Sequence, residues 1–161
     1  MFLLQTGCSE EQRAVPTDLG FMIDASASLY DYGFKNELEF VSDIIDKVGP
    51  ISKDGLRAGV VVYSDKANSR IYMNDHFNTD AFKFAVRNLP YDNAGQTRID
   101  LGFEESKNLF LTDNGARPSS KKVIGLFFSF FFVCKLKIHL CTFIDEVSVD
   151  EIFSLRYNII I

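Results

Sequence analysis

Asp18-Leu19-Gly20-Phe21-Met22-Ile23-Asp24-Ala25-Ser26-Ala27-Ser28 opens as an apolar run of strand length and closes on D-x-S-x-S. A short, near-continuous apolar run bounded by turn signals is the pattern of a strand buried on both faces, as in a parallel sheet. Open α/β sheets place their ligand sites at the C-terminal ends of such strands. Alternate residues of an extended segment point the same way, so Asp24, Ser26 and Ser28 converge, with only Ala25 and Ala27 between them. An all-oxygen set of this kind suits a small hard cation such as Mg2+. On these residues alone a plain strand running into a Ser/Ala turn remains the alternative.

Working outward, residues 1–15 read as a leader or linker ending before Pro16. Phe34, Leu38, Val41, Ile45 and Val48 recur at helical spacing and predict a helix over about 34–48, stopped by Gly49-Pro50. Its other face, with Lys35, Glu37, Glu39, Asp43, Asp46 and Lys47, reads as solvated surface. Residues 56–63 (L-R-A-G-V-V-V-Y) predict a second buried strand, and 69–73 a third. The link between these two is too short for a parallel crossover, so they form an antiparallel hairpin with the third strand at an edge. A second helix is expected over about 79–89, capped by Asn78 or Thr79, and a third over about 99–110. Pro90 to Gln96 is a turn-rich loop that delivers Thr97 to the foot of that third helix. A further buried strand opens at about Lys122. The order strand, helix, strand, strand, helix, helix, strand implies a layered α/β fold with a mostly parallel sheet.

The 161 residues have room for one domain with a core, and a net charge of -5 without a basic stripe excludes a nucleic-acid partner. Cys8, Cys134 and Cys141 form neither a metal-ligand pattern nor a C-x-x-C motif. The N-terminal Met1-Phe2-Leu3-Leu4 has no positive n-region and too short an apolar run for a signal peptide. The apolar segment from Val123 to Cys134 is too short to span a bilayer, and no membrane insertion is expected. Enzyme signatures are absent too. No G-x-S-x-G elbow surrounds Ser26 or Ser28, the acidic motif lacks the second aspartate of D-x-D phosphatases, and Gly95-Gln96-Thr97 is too short for a phosphate loop. His76 and His139 have no partner at catalytic or ligand spacing.

Four segments together resemble the von Willebrand factor type A domain, the module of integrin inserted domains, matrilins and collagen-associated proteins. They are D-L-G-F-M-I-D-A-S-A-S, R-A-G-V-V-V-Y-S-D, G-Q-T-R-I-D-L-G-F at 95–103, and N-G-A-R-P followed by K-K-V-I, in the family's order and spacing. The resemblance implies a Rossmann-like, doubly wound, mostly parallel sheet with one antiparallel edge strand, as a partial domain over 16–127. It also implies a metal-ion-dependent adhesion site holding Mg2+ or Mn2+, with Asp24, Ser26 and Ser28 as its first motif and Thr97 from the loop before the third helix. Neutral hydroxyls leave such a cation eager for an external carboxylate. Read alone, Thr97 is a helix N-cap.

One departure bears on that site. Where the family carries T-D-G after the fourth strand, Phe127 and Phe128 stand here, with Phe128 in the aspartate's place. Half of the site's fixed negative charge is gone, and weakened metal affinity is expected. From Phe128 the resemblance ends, so the C-terminal part of the fold is expected to be missing or replaced, and 128–161 reads as a non-family hydrophobic tail. Residues 138–144 and 152–161 are candidate replacement strands. The function implied is a non-enzymatic adhesion or matrix-binding module from a larger, multidomain extracellular protein, taking an acidic side chain of collagen or another matrix or adhesion protein. The alternative is a metal-free structural or interaction domain, or a non-functional truncated product, of the same family. Cys8 fits extracellular relatives in which a cysteine ahead of the first strand pairs with one after the last helix.

Overall fold

The structure, a computed structural model, describes residues 16–126 and 140–143. The central strand β1 (Thr17–Asp24) is flanked in parallel by β2 (Leu56–Tyr63) and β4 (Lys121–Leu126). Strand β3 (Ala67–Ile71) runs antiparallel to β2, and β5 (Leu140–Phe143) antiparallel to β4, giving the order β3-β2-β1-β4-β5. The α/β class and mixed sheet are as the sequence implies. Strand β3 is the expected antiparallel edge beside β2, and among the described residues β4 carries a second antiparallel neighbour. The second comes from the tail, where Val123 faces Phe143 and Leu126 faces Leu140, within the segment expected as a replacement strand.

The lack of polar alternation in β1 follows from burial on both sides. Leu19, Phe21 and Ile23 pack with Phe34, Leu38, Val41 and Ile45 of α1 (Tyr30–Val48) and with Phe82 and Val86 of α2 (Thr79–Arg87). Met22 points the other way, into a cluster with Val61, Tyr63 and Leu109, the last from α3 (Ile99–Leu109). Two helices therefore cover one face and one the other, as in a doubly wound fold. No helix among the described residues is long and apolar enough to cross a membrane.

Three boundaries differ from expectation, each for a local reason. Helix α1 starts at Tyr30 because its first turn is solvated, with Tyr30 70% and Tyr32 77% exposed, so apolar spacing gives no signal there. Strand β3 begins at Ala67, paired with Tyr63 straight after the turn, and ends at Ile71. The next amides go elsewhere, Tyr72 N to Asp75 Oδ2 and Met73 N to Asn114 O. Helix α2 ends at Arg87, where Asn88 and Leu89 bond back three residues to Ala85 and Val86. Its cap is Asn78, which accepts from Ala81 N at 3.0 Å, whereas Thr79 Oγ1 accepts from Ile51 N. The leader, Phe127, Phe128, Cys8, Cys134 and residues 152–161 lie outside the described residues.

Candidate functional site

At the C-terminal end of β1 the chain leaves the sheet through Asp24, which is 3% exposed. Ala25 N still reaches Tyr63 O of β2 at 2.8 Å, so the ladder persists one residue beyond the strand. Ser26 is extended, and its amide donates to Asp24 Oδ1 at 2.8 Å. Alternation therefore brings Asp24 and Ser26 together as expected. Ser28 arrives by another route. Ala27–Leu29 coil into a 3-10 turn, with Leu29 N on Ser26 O, and this turn folds Ser28 back until its hydroxyl lies 3.1 Å from that of Ser26. Ser26 is buried and Ser28 exposed, so the hydroxyl pair runs from floor to rim. Among the described residues Asp24 Oδ2 accepts no hydrogen bond.

The loop before α3 is stapled onto this end of the sheet. Ala27 N donates to Ala94 O at 2.7 Å, the Tyr91 hydroxyl to Ser26 O at 2.9 Å, and Gln96 N to Asp65 Oδ1 at 2.6 Å. Arg98 N closes the loop on Ser64 O at 3.0 Å. Thr97 is thus held between two anchored neighbours at the rim shared with Ser26. It is exposed, and no hydrogen bond joins it to Asp24, Ser26 or Ser28. It is not the cap of α3 either, because Arg98 holds that position without a side-chain cap bond.

Glu37 was expected on a solvated face, and the structure corrects that. The side chain is half-buried, and its Oε2 accepts from the backbone amide of Asp24 at 3.1 Å. Burial, then the like charge of Asp24, pushes the Glu37 carboxyl up to about 8. Burial also raises Asp24, opposed by the hydrogen bonds from Ser26. Tyr63 is raised by burial, then by both carboxyls, which places all three groups within electrostatic reach of one another. Among the described residues neither acid forms an ion pair. The signal for Glu37 was present in the spacing: it stands three residues after Phe34 and four before Val41, on the apolar stripe itself.

No cluster of three or more His, Cys, Asp or Glu side chains with metal-holding potential occurs among the described residues. Chemistry at this end of the sheet accordingly falls to hydroxyls, one buried aspartate and the neighbouring Glu37.

Comparison with known proteins agrees with this architecture. The family model described as von Willebrand factor type A domain matches residues 18–129. Matrilin-1 of Homo sapiens is 32% identical over 123 residues, which are 76% of this chain and 24% of matrilin-1. The collagen alpha-4(VI) chain of Mus musculus is 31% identical over 113 residues, 70% of this chain and 5% of the collagen. Among solved structures, proximal thread matrix protein 1 from the mussel byssus, with a zinc-occupied MIDAS motif, has a TM-score of 0.62 at 26% identity. That match covers 70% of this chain and 31% of the mussel chain. The chain thus spans a quarter or less of the length of the matrilin and the collagen. With the family model matching well over half its residues, the chain belongs to the von Willebrand factor type A domain family.

Proposed function

We propose that this domain is a non-enzymatic, extracellular protein-binding module that takes an acidic side chain of a matrix protein through a divalent cation at the end of β1. The observation that carries this reading is the adjacent hydroxyl pair of Ser26 and Ser28 beside buried Asp24, whose Oδ2 accepts no hydrogen bond among the described residues. Those oxygens, with Thr97 presented by the stapled loop, fit Mg2+ or Mn2+, which prefer oxygen donors and keep water on their open positions. When bound, the cation offers one such position to a ligand carboxylate. The protein's share is to hold the donors in place and to keep the site only partly neutralised. Relatives named as a collagen chain and as a thread matrix protein support the matrix setting, and the zinc-occupied motif of the latter supports a metal.

Titration of Mn2+ or Mg2+ into the protein by calorimetry tests this directly. Saturable one-site binding is expected, lost in Asp24→Ala and strengthened in Phe128→Asp, which restores the family's second acid. Binding to immobilised collagen should depend on Mn2+ and fail in chelator. Tight metal binding unaffected by Asp24→Ala would place the cation elsewhere. The second reading, a metal-free interaction domain, draws on Phe128 standing in the aspartate's place. It expects ligand binding indifferent to chelator.

A further inference from the structure

We infer that Glu37 is the second carboxylate of this site, supplying from α1 the negative charge that Phe128 does not. The inference rests on the metal-site reading above and adds a residue to it.

Position is the first support. Ala25 N points to β2, so the preceding amide, Asp24 N, points to the β4 side of β1. On that side the described ladder ends with Met22 facing Leu126. Glu37 reaches across from α1 and sets its Oε2 3.1 Å from Asp24 N. A carboxyl thus stands beside Asp24 on the flank from which the fourth strand would otherwise deliver one. The second support is the company it keeps. Glu37 occupies an apolar stripe between Phe34, Leu38 and Val41, each at most 2% exposed. A leucine or methionine there would have no charge to desolvate, and a glutamine would still accept from Asp24 N, so neither packing nor the amide requires a carboxylate. Keeping an acid in that position, next to a buried aspartate and without a basic partner among the described residues, places two negative groups where a doubly charged ion neutralises both. The third support is unused valence: among the described residues Glu37 Oε1, like Asp24 Oδ2, accepts no hydrogen bond.

A purely structural role makes a different demand. Capping the Asp24 amide needs only an acceptor, and a glutamine carbonyl serves as well as a carboxylate. Charge toward a cation needs the carboxylate. The experiment is Mn2+ titration by calorimetry on wild type, Glu37→Gln and Glu37→Met, with thermal unfolding in chelator on the same samples. Glu37→Gln keeps the acceptor, and Glu37→Met fills the apolar stripe, so at least one variant retains the fold. Mn2+ affinity should fall at least about tenfold in both, the effect of losing one nearby charge. The unfolding temperature of Glu37→Gln in chelator should equal or exceed wild type, because a partly desolvated charge is removed while the acceptor for Asp24 N remains. Wild-type affinity in either folded variant overturns the inference and leaves the Asp24 site standing. Absence of Mn2+ binding in wild type overturns the metal-site reading and this inference with it.

Discussion

At the scale of single residues, two buried aspartates at opposite ends of β1 are treated differently. Asp18 is fully buried and answered on all sides. Arg117 donates to it through Nη2 at 2.6 Å, Nε at 3.0 Å and its own amide at 2.6 Å, and Ser120 adds its hydroxyl. The same guanidinium also binds the carbonyls of Thr17, Asp54 and Gly55, tying β1 to the loop before β2. Arg117→Ala would strand a buried carboxylate, so a loss of about 3–5 kcal/mol is expected in urea unfolding. Among the described residues Asp24 forms no ion pair, and it lies within electrostatic reach of Glu37. Both carboxyls are raised, so the folded protein holds protons that the unfolded chain, with glutamate near 4.5, has already released. That contribution is fully present below the unfolded value and disappears as pH rises through about 8. In chelator, the unfolding temperature should therefore fall steadily between about pH 5 and pH 9, and Glu37→Gln should flatten much of that slope. A flat wild-type profile would show that the two acids do not oppose each other in the fold.

Among the elements, α3 lies in close contact with the sheet at Gly102. A Cβ at Gly102 would lie 2.6 Å from Met22 Cε and 3.1 Å from the Tyr63 ring, and both residues are fully buried. Alanine gains about 1 kcal/mol of helix propensity over glycine, but overpacking a closed core costs about 1–3 kcal/mol. The Met22 tip can turn aside, whereas the buried Tyr63 ring cannot retreat. Gly102→Ala is expected to lower the urea midpoint; a raised midpoint would mean that the helix rides free of the sheet. This packing also marks what the sequence made legible. Strand β2 was bounded at 56–63 as found, and the cores of α1, α2 and α3 followed from periodicity, because burial writes itself into spacing. Solvated geometry leaves no such trace. The first turn of α1 and the 3-10 turn that returns Ser28 are set by backbone hydrogen bonds and exposed tyrosines. The D-x-S-x-S motif was readable, and so was its end of the sheet. Glu37 is hard to read from the sequence because its charge masks its place on the apolar stripe of Phe34, Leu38 and Val41.

For the molecule as a whole, the question is how the two sheet edges are managed and whether the site depends on either. At the β3 edge, Ser69 gives its amide and hydroxyl to Glu105 of α3 at 3.0 and 2.8 Å, which occupies a group that would otherwise invite another strand. Beyond β4 the covering strand is β5, drawn from outside the part of the chain that the family model matches. Ending the chain at Leu126 removes that cover and leaves the outer ladder of Val123–Leu126 open, an apolar template for a second copy. The interior should survive, because among the described residues the packed clusters on both faces draw their buried side chains from residues 19–124. Light scattering is therefore expected to show concentration-dependent association of the shortened protein under conditions where the full chain is monodisperse. A monodisperse shortened protein would mean that β5 protects nothing. The oxygens proposed for the cation come from Asp24, Ser26, Ser28, Glu37 and Thr97, none of which the cut removes. Mn2+ affinity of the shortened protein should thus stay within about threefold of the full chain, a difference of less than 1 kcal/mol. A larger loss would place a metal-binding group in the tail and return the fourth-strand side of the site to residues beyond Leu126.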